Sequence, residues 1–296
     1  MLKILIKSAV ETFKADGIKV LLEQTLRYAM LYGSPAKIWR YWWNRLCGNT
    51  KQVVMVQGSL MALNLLDRGI HSDLFLNGVR EPHATRYLQS LLKPEWTVVD
   101  IGANIGYYAL MEAKIAKRVI AIEPGPENYK FLKHNIKMNR YAVETHQLAI
   151  GDQKGTVGFE ISKACNWNKI AIGEGDIVVE MTTLDNLLTG QEVDFVRMDV
   201  EGYEMSIIKG MDYILTHNRP DMFIEVHRDL LKNYGSSQLE FMEALAEYGY
   251  RISKSFISAR PGPEGEIREL LNCPQTRRLI TERGIASHMF FSGGRC

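Results

Sequence analysis

Val98-Val99-Asp100-Ile101-Gly102-Ala103-Asn104-Ile105-Gly106-Tyr107 is an apolar run that ends in an acid and passes through two glycines into a helical pattern. This reads as strand, tight turn, helix. Gly102 and Gly106 carry no Cβ, so the backbone is expected to lie close against a bound, nucleoside-like molecule. The spacing is G-x-x-x-G. Dinucleotide enzymes place G-x-G-x-x-G at this turn to hold a pyrophosphate. Asp100 would also repel a pyrophosphate.

An acid there suits a cofactor with a cationic amino-acid end. S-adenosylmethionine carries both an ammonium and a sulfonium. Val119-Ile120-Ala121-Ile122-Glu123-Pro124 is the next apolar strand and again ends in an acid, with Glu123 lying 21 residues after Gly102. At about this spacing an acid accepts hydrogen bonds from ribose hydroxyls. The alternative is an acid placed to favour the dipole of the following helix.

Apolar strands are expected at 97–101, 118–123, 144–149, 193–198, 221–226, 249–254 and 287–292. Helices are expected at 83–92, 106–116, 126–138, 203–210 and 237–248. Alternation of this kind means a mostly parallel sheet covered on both faces, an α/β Rossmann-like fold. Before it, residues 53–66 read as a β-hairpin turning near Gln57-Gly58-Ser59. Residues 155–182 form an insertion with strand-like ends and a loop holding Cys165, Asn166, Trp167 and Asn168. Residues 2–31 read as two helices broken at Asp16-Gly17, and Gly33-Ser34-Pro35 as a stop. The expected organisation is a basic, aromatic-rich helical extension over 1–52 and a catalytic domain over 53–296. Within that domain the hairpin and a helix occupy 53–95 and the core 96–296.

Asp100-Ile-Gly-Ala-Asn-Ile-Gly-Tyr-Tyr, Ile122-Glu-Pro, Met198-Asp199-Val200-Glu201-Gly202-Tyr203-Glu204 and Ile224-Glu225-Val226-His227 together resemble the FkbM family of methyltransferases. The resemblance spans about Leu60 to Tyr250. Asn104 stands where many methyltransferases carry a third glycine, which fits this family. The resemblance implies a seven-strand sheet whose last strand is antiparallel. It also implies S-adenosyl-L-methionine as cofactor and O-methylation of a sugar, glycan or natural-product hydroxyl. Cofactor-binding residues would be Asp100, Gly102, Asn104, Gly106, Glu123 and Asp199. Asp152, in Ala149-Ile150-Gly151-Asp152, would meet the adenine amine as acids or amides do there in methyltransferases, unless Gly-Asp merely makes a turn.

Asp199 and Glu201 fall at the end of the fourth predicted strand, and Glu225 and His227 at the end of the fifth. Carboxyl ends of such strands line the ligand crevice. An alcohol acceptor needs a general base as it attacks. His227 is the first choice, because an unperturbed imidazole titrates near neutrality. Asp199 is second, and Glu225 would orient His227 or the acceptor. Glu201 and Trp167 are expected acceptor contacts. Two alternatives stay open: Glu201 as a cap for the helix from Tyr203, and His227 as a polar strand end. No metal is expected, although Asp199, Glu201 and His227 are competent ligand types.

Composition narrows the remaining classes. Residues 1–52 hold nine Lys/Arg against three acids, a net of +6, on a chain of net charge +2. Trp39, Trp42 and Trp43 lie among Arg40 and Arg45. Such a segment fits an anionic partner, and a membrane surface is the hypothesis kept. Nucleic acid is disfavoured by a pI of about 8.2. An RNA or protein methyltransferase with the same cofactor is the rival reading. A non-enzymatic adaptor or a nicotinamide oxidoreductase fits the motifs poorly. Cys47, Cys165, Cys273 and Cys296 show no metal-ligand or disulfide spacing. Lys3, Lys7 and Glu11 break the first apolar run, so no signal peptide is expected. The uncharged stretch Val53–Leu66 is too short to span a bilayer. The expected location is the cytoplasm, with peripheral contact at the inner membrane face as a further hypothesis.

Overall fold

The computed structural model describes residues 35–67, 69–257, 260–261, 265–273 and 288–294. The helices read over 2–31 lie outside the described residues. In chain order the strands are β1 Lys51–Val56, β2 Ser59–Asn64, β3 Thr97–Ile101, β4 Arg118–Ile122, β5 Val143–His146, β6 Ala149–Ile150, β7 Gly155–Glu160 and β8 Lys169–Ile170. They continue with β9 Ile177–Thr182, β10 Phe195–Met198, β11 Asp221–Glu225, β12 Arg251–Ile257, β13 Arg260–Pro261, β14 Gly265–Glu266 and β15 His288–Ser292.

The described residues divide into two compact units, one within residues 1–80 with 163–166 and the other within residues 81–162 with 167–296. The expected boundary fell after residue 52. The hairpin instead belongs with the first unit. There the helix Ile70–Asn77 packs on β2, and the helix Pro35–Leu46 packs on Ile70–Asn77. Tyr41, Met61, Leu63, Leu65 and Leu74 fill that core. Tyr41 Oη shares a 2.9 Å hydrogen bond with Ser72 Oγ and accepts one of 3.0 Å from Arg45. Pro35 therefore opens a helix, as its fixed φ permits at the first turn, rather than only closing the preceding segment. The helix Ile70–Asn77, capped by Gly78 at φ +68°, gave no periodic signal because nearly all its faces are buried. Burial pulls the His71 imidazole in that helix down to about 4, against the opposing charge of Asp67.

In the larger unit the main sheet runs β13-β12-β15-β11-β10-β3-β4-β5. β3, β4, β5, β10 and β11 are mutually parallel. β15, the last strand in the chain, is antiparallel to both β11 and β12. This is the Rossmann-like seven-strand sheet expected from the sequence, with β13 and β14 as two-residue additions at its edge. Helices cover it, among them Tyr107–Glu112, Pro126–Asn139, Glu204–Lys209 and Gln238–Glu247. Val99, Ile101, Ile120, Ile122, Val196, Met198, Met222 and Ile224 form one continuous core. Being covered on both faces, these strands read as apolar runs rather than alternating patterns. The expected strand 144–149 is split at Gln147-Leu148. Its second half, β6, leaves the main sheet and pairs with β9 in a separate sheet ordered β6-β9-β7-β8.

Strand order reverses at β3, which has β4 on one side and β10 on the other. A crevice opens outside the carboxyl ends of the strands at such a switch point. That position places Gly102, Glu123, Asp199, Glu225 and His227 around one region.

Candidate functional site

The two glycines of the first turn are needed for reasons internal to the fold. Gly102 sits at φ +78°, and a Cβ there would stand 2.0 Å from the Asp199 carbonyl oxygen. Gly106, at φ +91°, would put a Cβ 2.9 Å from Leu132 Cδ1. Protein atoms fill both spaces, so the fold itself already requires glycine at both positions. The turn is tied to β4, because the N–H groups of Gly102 and Ala103 both donate to the Ile122 carbonyl at 2.9 and 3.0 Å.

Glu123 follows β4 and is almost fully buried. Its carboxylate accepts the Asn104 N–H at 2.9 Å and the Gly125 N–H at 2.9 Å. Burial nevertheless pushes it up to about 7, with those backbone bonds and Asn128 opposing. Asn104 adopts φ +52°, a left-handed conformation that asparagine tolerates.

Asp100 has no exposed surface. The register pairs Asp100 with Arg197 across β3 and β10. Arg197 Nη1 donates to Asp100 Oδ1 at 2.9 Å and to the Gly102 carbonyl at 3.1 Å. Its Nη2 donates to Asp199 Oδ2 at 2.8 Å, and its guanidinium lies 4.2 Å from the Tyr108 ring centroid. Burial raises the Asp100 carboxyl, and Arg197 pulls it back. Asp100 thus holds Arg197, which holds Asp199. Beside them Glu112 is wholly buried, and burial plus the Asp100 charge raise it well above the usual carboxylate range.

Sequence reasoning passed over Arg197. A lone arginine inside the apolar strand Phe195–Met198 was the available signal, since a buried charge demands a partner.

Asp199, Glu201, Glu225 and His227 do converge. His227 Nε2 lies 3.4 Å from Glu201 Oε2, 3.7 Å from Glu225 Oε1 and 3.9 Å from Asp199 Oδ1. Its Nδ1 is 2.9 Å from Glu204 Oε1. Burial alone would lower the His227 pKa. The Glu204 hydrogen bond and the charges of Asp199, Glu204 and Glu201 outweigh it, and the imidazole is held up at about 10. These carboxylates favour the doubly protonated imidazolium, a form in which both ring nitrogens are donors.

Glu225 is pushed up to about 7 by burial, then by the charges of Asp199 and Glu81. Glu201 also stands at about 7, raised by burial against the pull of His227. Glu201 holds φ +52° before Gly202 at φ +102°. A glutamate there is strained, a condition that clusters at functional sites.

Two more residues complete the array. β11 and β15 pair Glu225 with His288, whose Nε2 is 3.5 Å from Glu225 Oε2 and 3.1 Å from Glu81 Oε2. Tyr108 Oη donates to the same Glu81 oxygen at 2.7 Å. Nothing in the sequence linked Glu81 or His288 to the motifs: the pairing of β15 with β11 brings His288, and Glu81 comes from the start of the helix Pro82–Leu91. Asp199, Glu201 and His227 each offer an atom that could ligate a metal, and so do Glu81, Glu225 and His288.

The other two expected residues are exposed. Asp152 is exposed and lines a cavity of about 370 Å³ with Tyr203, Lys209 and Tyr234. Trp167 ends a 3₁₀ turn, 63% exposed.

The sequence profile of the methyltransferase FkbM domain matches residues 100–252. The chain is 30% identical over 132 residues to the hexuronic acid methyltransferase AglP of Haloferax volcanii, covering 43% of this chain and 54% of that protein. It is 22% identical over 144 residues to methyltransferase 1 of Beauveria bassiana, covering 39% of this chain and 58% of that protein. The chain thus spans little more than half the length of these curated relatives. Among solved structures it is similar to an FkbM methyltransferase from Methylobacillus flagellatus, with 17% identity and a TM-score of 0.38, covering 72% of this chain and 51% of that one.

Proposed function

Because the chain belongs to the FkbM-domain methyltransferase family, we propose that it methylates a hydroxyl of a sugar, glycan or related small molecule from S-adenosylmethionine. The observation that carries this reading is the carboxylate-rich lining of the crevice. Glu225 ends β11, and Glu123, Asp199 and Glu201 follow the carboxyl ends of β4 and β10. Carboxylates offer hydrogen-bond acceptors and negative charge, which complement a ribose diol and a cationic sulfonium and ammonium. Bound there, S-adenosylmethionine supplies an electrophilic methyl group on a good leaving group.

The chain's own residues supply the rest. Glu123, fixed by the Asn104 and Gly125 amides, would hold the ribose. Asp199, pinned by Arg197, would face the cationic end. Glu225, at about 7, has the proton affinity of a base working near neutrality. It would take the acceptor hydroxyl proton, while the His227 imidazolium balances the surrounding carboxylates. Glu201 would orient the acceptor. The name of the Haloferax relative, a hexuronic acid methyltransferase, supports a sugar acceptor.

Calorimetric titration with S-adenosylhomocysteine tests the cofactor assignment. Wild type is expected to bind in the micromolar range, and Glu123→Ala about tenfold or more weakly, ~1.4 kcal/mol. Folded wild type that binds none would end the methyltransferase reading.

We further propose that the smaller unit docks on an anionic membrane surface. Among the described residues no helix is long and apolar enough to cross a membrane. Trp39 and Trp43 are 64% and 49% exposed and stack at 5.3 Å. Met55 and Leu60 pair across the hairpin and are also exposed, beside Lys37 and Arg40 around a shared groove lined by Met55. Exposed apolar surface of this kind marks an interaction site, and tryptophan with cations matches headgroup depth. The protein should pellet with phosphatidylserine vesicles at low salt, and the double variant Trp39→Ser/Trp43→Ser should largely stay in solution. Wild type left in the supernatant disposes of the idea.

A further inference from the structure

Between β5 and β10 the chain builds the small separate sheet β6-β9-β7-β8. Phe159, Ile170, Val179 and Met181 form its core, and Tyr203 packs against them from the loop after β10. The same sheet reaches the loop after β4. A Cβ on Gly125 would stand 2.8 Å from Glu123 Oε1, 3.3 Å from Asn168 Nδ2 and 3.4 Å from Phe159 Cε1. The insertion thus touches both loops that carry crevice carboxylates. Given the methyltransferase reading, in which Glu123 holds the ribose, we propose that Asn168 is a further cofactor contact. Its side-chain amide donates a hydrogen bond to the adenosine half of S-adenosylmethionine.

The orientation of the amide is set by its other end. The Ser162 N–H donates to Asn168 Oδ1 at 2.8 Å. A backbone N–H can only donate, so the amide oxygen faces Ser162 and the NH2 group is the end beside Gly125. Among the described residues Asn168 Nδ2 has no hydrogen-bond partner, and Asn168 is half-buried.

The neighbouring carboxylate gives that donor a use. Ionised Glu123 offers acceptors alone. A ribose hydroxyl that donates to it keeps lone pairs on its own oxygen, and the adenine ring nitrogens are acceptors as well. A donor beside Glu123 meets what the carboxylate leaves unmet. Gly125 allows the two groups to stand together, because any side chain there would crowd both. Asn168 lies outside the sequence motifs, so only the packing of the insertion brings it to Glu123.

Calorimetric titration of the full chain tests the assignment, with wild type that binds S-adenosylhomocysteine as the reference. Asn168→Asp is expected to bind about tenfold more weakly, the cost of one lost hydrogen bond. Aspartate still accepts the Ser162 N–H, so the loop should hold, and the ligand-free melting temperature should move by no more than about 2 °C. Asn168→Ala, which adds no charge beside Glu123, should weaken binding as much. 5′-Methylthioadenosine lacks the amino-acid end and should lose affinity by the same factor. Should the variants fail to fold, hydrogen exchange in the wild type decides the matter: saturating S-adenosylhomocysteine should slow exchange of the Ser162 amide. Three results overturn the proposal and leave the cofactor assignment standing. They are variants that bind S-adenosylhomocysteine as tightly as wild type, a loss that spares 5′-methylthioadenosine, and Ser162 exchange indifferent to bound ligand.

Discussion

Arg197→Leu is expected to lower the free energy of unfolding at pH 7 by about 3–5 kcal/mol, the usual cost of removing one partner of a buried ion pair. Asp100 has no exposed surface, and Arg197 is the cation bonded to it. Leucine would fill part of the space and leave Asp100 a buried charge in apolar surroundings. The Gly102 carbonyl and Asp199 would each lose a donor as well. The sign with pH is fixed. Without Arg197, burial raises the folded-state pKa of Asp100 above its unfolded value. The penalty therefore grows as pH rises past the unfolded value of about 4 and shrinks as pH falls. Arg197→Lys keeps the charge, loses the forked geometry, and should fall between. Urea unfolding at pH 5 and pH 7 measures all of this. A loss within about 0.5 kcal/mol, as for a surface substitution, would sink the account of the Asp100–Arg197–Asp199 chain.

The second large effect is on turnover. Glu225→Gln is nearly isosteric but cannot take a proton, and kcat is expected to fall by about 10²–10⁴, the range for a lost general base. The fold should hold, since the change removes a charge that sits against Asp199 and Glu81. S-adenosylhomocysteine affinity should stay within about threefold, or ~0.7 kcal/mol. In the wild type, kcat/KM should climb as pH rises through about 7, because the base must be ionised. Glu201 stands at the same value, so the apparent pKa belongs to the group of carboxylates. With the methyl acceptor in hand, a Glu225→Gln enzyme that turns over at the wild-type rate would remove Glu225 from the chemistry.

The motifs foretold most of the larger unit's frame. Asp100-Ile-Gly-Ala-Asn and Ile122-Glu-Pro fell at strand ends, and the strand–helix alternation gave the parallel sheet. Both follow from local chemistry. A strand buried on both faces must be apolar, and a turn at positive φ needs glycine or asparagine. Roles were less legible than positions. Asp100 and Glu123 look alike in sequence, each an acid that closes an apolar strand. One is paired with Arg197, and the other is positioned by backbone amides of the turn.

The sequence by itself determined the fold class, the switch-point loop and the convergence of Asp199, Glu201, Glu225 and His227. Each of these rests on patterns local to single strands, turns and helices, where periodicity and turn chemistry operate, and on the rule that parallel strands line their carboxyl ends up along one crevice. Only the tertiary structure decided which acids are buried, that His227 is held up at about 10, and that Glu81 and His288 join the array. It also decided that Asn168 reaches the loop after β4. Those outcomes depend on strand register and on long-range packing, which set the desolvation and the neighbouring charges of each group. A linear pattern of residue types carries neither.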